Sequence, residues 1–349
     1  MHVSRCTGSK AGATIPGTSS KYLLWLLYLH LYALRHGDRA SGVFMPAFVP
    51  ASLIAAVFLA LISINTVFFA LLIIVTMPLR FVMPTQGLRT GIAHLLIFFA
   101  STWCTINNKV LMRVLPKIDW DIEVPAGLEK RGWYFVIANH QSWVDILVLF
   151  YVFNERIAFL KYFLKQELIW VPFLGQAWYA LDFPFMKRYS KEVLGKHPEL
   201  KGKDVETTRR ACEKFRHTPV SVMNFLEGTR FTRTKHDRQQ SPYTHLLKPK
   251  AGGMAFALSV LGKQMHSLLD VTIAYPEGTP TFMDFCSGRV RQINVRVHQR
   301  EIPSAAFSAD YENDPVFRAE FQNWTGQLWS EKDALLTTLL AGKNDRHAE

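Results

Sequence analysis

Between Pro50 and Leu79 the chain carries no charged residue. Wound as a helix, residues 53–75 would extend roughly 35 Å, more than the ~30 Å hydrocarbon core of a bilayer. A run this long without charge is seldom needed in a water-soluble protein, so the expectation is a membrane-spanning helix; the alternative is a helix buried in a soluble core. Pro78 and Pro84 break the segment. A second apolar stretch, 91–106, is interrupted by His94, Ser101 and Thr102. It is expected as the other arm of a hairpin, half-embedded or packed under the following domain.

Upstream, residues 1–20 are rich in Ser, Thr, Gly and Ala and read as disordered. Residues 21–34 are apolar but too short to span, which suits the membrane interface. A start at Met45 would leave 1–44 outside the protein. Downstream of Trp120 the pattern changes to alternating strands and helices. Strands are expected at 133–138, 157–160, 220–225, 271–275 and 290–297, with helices at 144–153, 204–217, 254–261 and 315–340. That order predicts an α/β domain with a mixed central sheet flanked by helices. The chain thus divides into a disordered or interfacial extension (1–44), anchoring helices (45–118), the α/β domain (119–340) and a tail (341–349).

A formal net charge of +12 calls for an acidic partner: nucleic acid, anionic lipid or an acidic substrate. Arg80 and Arg89 follow the first apolar segment and Lys109, Arg113 and Lys117 the second, where they suit anionic headgroups. Trp103 and Trp120 fit the headgroup level or a core equally well. Nothing resembles a nucleic-acid-binding module. Two loops stand out, a basic one at 187–203 and a polar one at 231–247. The four cysteines show neither paired nor metal-ligand spacing, which fits a reducing compartment.

The chemistry is concentrated in Ala138-Asn139-His140-Gln141-Ser142-Trp143-Val144-Asp145. A histidine stands where a strand gives way to a helix, and an aspartate five positions on can reach the imidazole across the first turn. Such a carboxylate fixes the tautomer and raises the basicity of the ring, making a general base. The spacing equally fits a structural histidine at a helix start. A second block, Phe225-Leu226-Glu227-Gly228-Thr229-Arg230, follows another strand-like run. Its arginine suits bidentate binding of phosphate, its glycine permits close backbone approach, and its glutamate suits Arg230 or a substrate hydroxyl. No Gly-x-Ser-x-Gly frame surrounds Ser142.

In this order and about ninety residues apart, the two blocks resemble the signature of the PlsC-like glycerolipid acyltransferases. Further blocks resemble that family in sequence: Lys165-Gln166-Glu167-Leu168 with Trp170 to Gly175, the block ending at Arg188, Lys250-Ala251-Gly252, and residues 271–276. The wording around 161–166, 185–190 and 202–210 is similar to the bacterial inner-membrane YihG-type acyltransferases. Leu226 departs from the family, where proline is commoner. The resemblance implies acyl transfer from a thioester, carried by CoA or acyl carrier protein, to the hydroxyl of a lysophospholipid such as lysophosphatidate. It implies His140 and Asp145 as the catalytic pair and Glu227, Gly228, Thr229, Arg230, Lys165, Arg188 and Lys250 as substrate-binding residues. Direct attack without an acyl-enzyme is expected, with backbone amides after His140 as oxyanion donors. No metal or cofactor is called for. The implied partners are membrane lipids and the acyl donor, not nucleic acid, and the implied location is the bacterial inner membrane with the catalytic domain facing the cytoplasm.

Overall fold

The structure, a computed structural model, describes residues 49–115, 118–186, 212, 215, 219–265, 267–308 and 310–341. The 1–44 extension, the Met45 start, Lys117, the basic 187–203 loop with Arg188, and the terminal tail from 342 lie outside the described residues. So does most of the expected 204–217 helix.

A six-stranded sheet forms the centre, with strands β1 (Asp119–Glu123), β2 (Tyr134–Ala138), β3 (Leu160–Tyr162), β6 (Ser221–Phe225), β7 (Ser267–Ala274) and β8 (Gln292–Arg300) in the order β1-β8-β7-β2-β6-β3. Only β7 and β8 pair antiparallel; the remaining pairs are parallel, so the sheet is mixed as expected. Strand β2 lies between β6 and β7, and all five of its residues are buried. Successive side chains of a strand point to opposite faces. Val136 and Ala138 accordingly enter one apolar layer with Val144, Val148, Leu149 and Val152 of helix α3 (Val144–Phe153). Phe135 and Ile137 enter the other, with helices α6 (Ala251–Leu261) and α8 (Pro315–Ala341). A two-stranded sheet of β4 (Leu164–Lys165) and β5 (Phe185–Met186) stands apart from the main one.

The uncharged run forms helix α1 (Ala51–Thr76), and helix α2 (Gln86–Ile106) returns beside it. Trp103 Nε1 donates to Thr66 Oγ1 at 3.1 Å, and Asn65 Nδ2 to Asn107 Oδ1 at 2.8 Å, tying the arms together. By length and composition both arms suffice to cross a membrane. Yet α1 is packed against the domain at both ends. Ile54, Ala55 and Phe58 join the core layer of α3, with Phe58 edge-on to Phe285 of the short helix α7 (Phe282–Cys286) at 6.0 Å. Ala70 and Ile73 pack with Ala177 and Ala180 of α4 (Leu174–Ala180). Ile64, Val67, Phe68, Leu71 and Val75 remain exposed along its other side. The second arm packs under the domain, Asn108 Nδ2 donating to Phe150 O at 3.0 Å.

Several local expectations change. Arg80, expected at headgroups, pairs with Asp182 at 2.7 Å, and Lys109 lies 3.5 Å from Glu155. Trp120 stacks on Tyr151 at 4.1 Å and Trp103 bonds within the hairpin, so both have internal partners. Strand β1 escaped the sequence reading because its charged residues sit on an edge strand, where Arg296 pairs with Asp121 at 2.8 Å and Glu123 at 3.1 Å. The strand expected at 157–160 lies at Leu160–Tyr162. The polar loop 231–247 contains a short helix, α5 (Arg233–Gln239), whose N-terminus is capped by the Thr232 hydroxyl.

Candidate active site

Strands β2 and β6 run parallel with Ala138 opposite Phe225, so the chain leaves both at the same sheet edge. The carboxyl ends of parallel strands are where open α/β sheets build their sites. His140 lies two residues beyond β2 and Glu227 two beyond β6.

The imidazole of His140 is stacked on the Phe225 ring, 3.9 Å between centroids and 13° from parallel. Its Nδ1 is 2.9 Å from Asp145 Oδ2. That oxygen also accepts from the Gln141 N–H at 2.6 Å and the Ser142 N–H at 2.8 Å, while Oδ1 accepts from the Tyr275 hydroxyl at 2.6 Å. An oxygen already accepting from two amides has to be met by a donor, so the proton resides on Nδ1 and Nε2 carries the lone pair. Asp145 is fully buried and His140 is half-buried. Burial, and after it the neighbouring Asp145 carboxylate, push the Tyr275 phenol well above its ordinary value. It remains a donor.

Glu227 has a different role from the one expected of it. It is fully buried, and its two oxygens accept from backbone amides: Oε1 from His140 at 3.0 Å and Oε2 from Leu247 at 3.2 Å. Neither oxygen is on Arg230. Burial pushes its carboxyl up to about 8, outweighing the two amides that favour the charged form. Glu227 therefore braces the main chain at His140, and its buried oxygens face two amides. On the neighbouring strand, Asn139 bonds both the N–H and C=O of Ile273 at 2.9 and 2.8 Å, fixing the residue before His140 to β7.

Three of the expected oxyanion donors are also occupied. Amides of Gln141 and Ser142 serve Asp145, and the Val144 amide serves Ser142 Oγ at 3.1 Å. The Ser142 hydroxyl in turn donates to Pro280 O at 2.6 Å, which leaves it unsuited to act as a nucleophile.

The cationic side begins at Gly228, whose φ of +67° is a left-handed conformation that glycine adopts without strain. A Cβ there would come within 2.6 Å of Lys250 Nζ, so Lys250 lies directly over the turn. Arg230 is exposed, its guanidinium 4.8 Å above the Trp143 ring. Thr229 Oγ1 accepts from Lys235 Nζ at 2.8 Å, and the same ammonium donates to Arg230 O at 2.9 Å. Lys235, Trp143 and Tyr275 were not singled out from the sequence. The nearest signal was the block at 271–276, which contains Tyr275 without indicating its partner. Lys165 lies exposed on β4, in the separate two-stranded sheet, and no hydrogen bond or ion pair joins it to the histidine group among the described residues. Arg188 lies outside them. Among the described residues no three His, Cys, Asp or Glu side chains are grouped to hold a metal.

Residues 121–276 match the family model described as Acyltransferase. The His140–Asp145 pair and the Glu227–Arg230 turn lie inside the matched span. Similar curated proteins include 1-acyl-sn-glycerol-3-phosphate acyltransferase gamma of Mus musculus, 28% identical over 212 residues, covering 57% of this chain and 51% of that protein. Lysocardiolipin acyltransferase 1 of Mus musculus is 25% identical over 268 residues, covering 71% of this chain and 64% of its own length. The chain spans about half the length of the first of these relatives. Among solved structures, the 1-acyl-sn-glycerophosphate (LPA) acyltransferase PlsC from Thermotoga maritima aligns over 79% of this chain and 95% of its own, at 18% identity and a TM-score of 0.41.

Proposed function

We propose that the protein transfers a fatty acyl group from a thioester to the free hydroxyl of a lysophospholipid. The observation that carries this reading is the His140–Asp145 pair, with Nδ1 held by a buried carboxylate and Nε2 left as base at the carboxyl ends of two parallel strands. In this mechanism Nε2 takes the proton of the acceptor hydroxyl as its oxygen attacks the thioester carbonyl. The tetrahedral intermediate then expels the thiolate, which receives the proton from the imidazolium. Direct attack is supported by the occupied Ser142 hydroxyl and by the burial of the described cysteines, Cys104, Cys212 and Cys286. With the Gln141, Ser142 and Val144 amides occupied, the Trp143 amide and the cations beyond Gly228 are left to meet developing negative charge.

Arg230, Lys235 and Lys250 form a cationic rim suited to an acceptor phosphate. Lysophosphatidate, made into phosphatidate, is the acceptor this rim favours, because a phosphomonoester offers more charge than a diester. Another lysophospholipid is the second reading, supported by the similarity to a lysocardiolipin acyltransferase. The donor is acyl-CoA or acyl-carrier protein, and no cofactor enters the mechanism. Apolar residues left open along the hairpin support residence in a membrane. The YihG-type assignment extends this to the bacterial inner membrane with the domain facing the cytoplasm. A purely lipid-binding role would not require a histidine with an orienting carboxylate. The experiment is a panel of labelled lysophospholipids with both donors, using membranes bearing the protein or its His140→Ala variant. Equal product from the two would refute the reading.

A further inference from the structure

Glu227 is fixed by two amides, and only one belongs to the sheet edge that carries His140. The other is that of Leu247, in the segment 244–247, which is neither helix nor strand. A segment without its own ladder depends on outside partners to hold its amides in place. Those partners come from α8, beyond residue 276, where the acyltransferase match ends. Asp333 accepts from the Thr244 N–H at 2.7 Å with Oδ2 and from the His245 N–H at 2.8 Å with Oδ1. Trp329, wholly buried, donates from Nε1 to Leu247 O at 3.0 Å, on the residue whose N–H serves Glu227. Between them Lys332, also buried, ties the same helix to β7 through Val271 O at 2.5 Å and an ion pair with Asp270 at 2.6 Å.

We propose that α8 positions the catalytic histidine: Trp329 and Asp333 hold residues 244–247 so that Leu247 N–H fixes Glu227, and Glu227 fixes the main chain of His140. The connection is four links long, from Asp333 or Trp329 to 244–247, to Glu227, to His140 N, to the imidazole. Neither Trp329 nor Asp333 touches substrate; both are positioning residues. The inference rests on the reading of His140 as general base.

The experiment compares Asp333→Ala, Asp333→Asn and Trp329→Phe with Asp314→Ala in the full chain. Asp314 caps the start of α8 by accepting from the Val316 and Phe317 amides at 3.0 Å, far from 244–247, and so controls for loss of helix stability alone. Asp333→Ala is expected to lower kcat about tenfold with KM for acceptor and donor unchanged, as loss of support behind a reacting group does. Asn, which can still accept from one amide, restores part of the rate. Trp329→Phe keeps the ring and loses the N–H, giving a smaller loss of the same kind. The loss should vanish in a Glu227→Gln background, because both changes break one connection. A loss that multiplies with that of Glu227→Gln overturns the proposal, as does an equal fall in kcat for Asp314→Ala at the same Tm. If the parent protein acylates no lysophospholipid, the functional reading fails and the positioning is read from the rate at which diethyl pyrocarbonate modifies His140. Asp333→Ala must then change that rate and Asp314→Ala must not; equal rates overturn the proposal.

Discussion

Asp145 and Arg230 both belong to the candidate site but are held in contrasting ways. Asp145 is fully buried, and its two oxygens receive four donors: His140, Gln141, Ser142 and Tyr275. Arg230 is exposed and rests on the face of Trp143. A buried, fully bonded carboxylate has one geometry, and removing it leaves two amides and a phenol without partners. An exposed guanidinium on an aromatic face keeps its freedom to turn toward a ligand. The His140–Asp145 pair is thus held in one geometry and the cationic rim left free to accommodate, and single substitutions should expose the difference.

The largest effect belongs to His140→Ala, which should lower acyl transfer roughly a hundred- to ten-thousand-fold while the thermal transition stays close to that of the parent. Retained turnover in the purified variant would break the comparison at its root. Asp145→Asn comes next, at about a hundredfold or more. An amide presents one oxygen where the site needs two acceptors, and it cannot stabilise the imidazolium. This variant should also melt lower, whereas the Arg230 variants should not, and calorimetry checks both. Arg230→Ala is expected to cost about ten- to a hundredfold, expressed in the acceptor terms. Arg230→Lys should recover little, because lysine replaces neither the planar fork nor the stack on Trp143. An effect confined to the donor would move Arg230 away from the acceptor phosphate. The smallest change is Tyr275→Phe, which removes one of four donors to Asp145 and should slow turnover by about three- to tenfold. Steady-state rates with acceptor and donor varied separately resolve all four.

What the sequence disclosed and what it withheld follow the reach of each interaction along the chain. His140 and Asp145 are five residues apart across one helix start, so their pairing was legible as spacing. Helix α3 was likewise expected at the bounds it has, since its apolar run is continuous. Tyr275 meets Asp145 across 130 residues and Glu227 meets the His140 amide across 87, and no local pattern reports either. That is why the sequence offers Glu227 to Arg230 or a substrate hydroxyl when its carboxyl is turned inward to the main chain. Occupied first-turn amides were invisible for a related reason: the pattern marks a helix start without saying which acceptor takes its amides. Lys165 was assigned to the phosphate by resemblance alone, and its strand belongs to a different sheet from the one carrying His140.

The contact between Phe58 and Phe285 has a consequence in time as well as in space. The first aromatic is synthesised 227 residues before the second, an interval of roughly 10 to 45 s at ordinary elongation rates. Throughout it, the Phe58 end of the inner stripe of α1 lacks its Phe285 partner, while the outer stripe stays uncovered even afterwards. The nascent hairpin therefore leaves the ribosome apolar on every side, and whatever receives it then, a bilayer or a chaperone, has to release one face to the later sheet and keep the other. Synthesis without such a receiver should yield aggregate in proportion to that delay, and slowing elongation between residues 60 and 280 should worsen it.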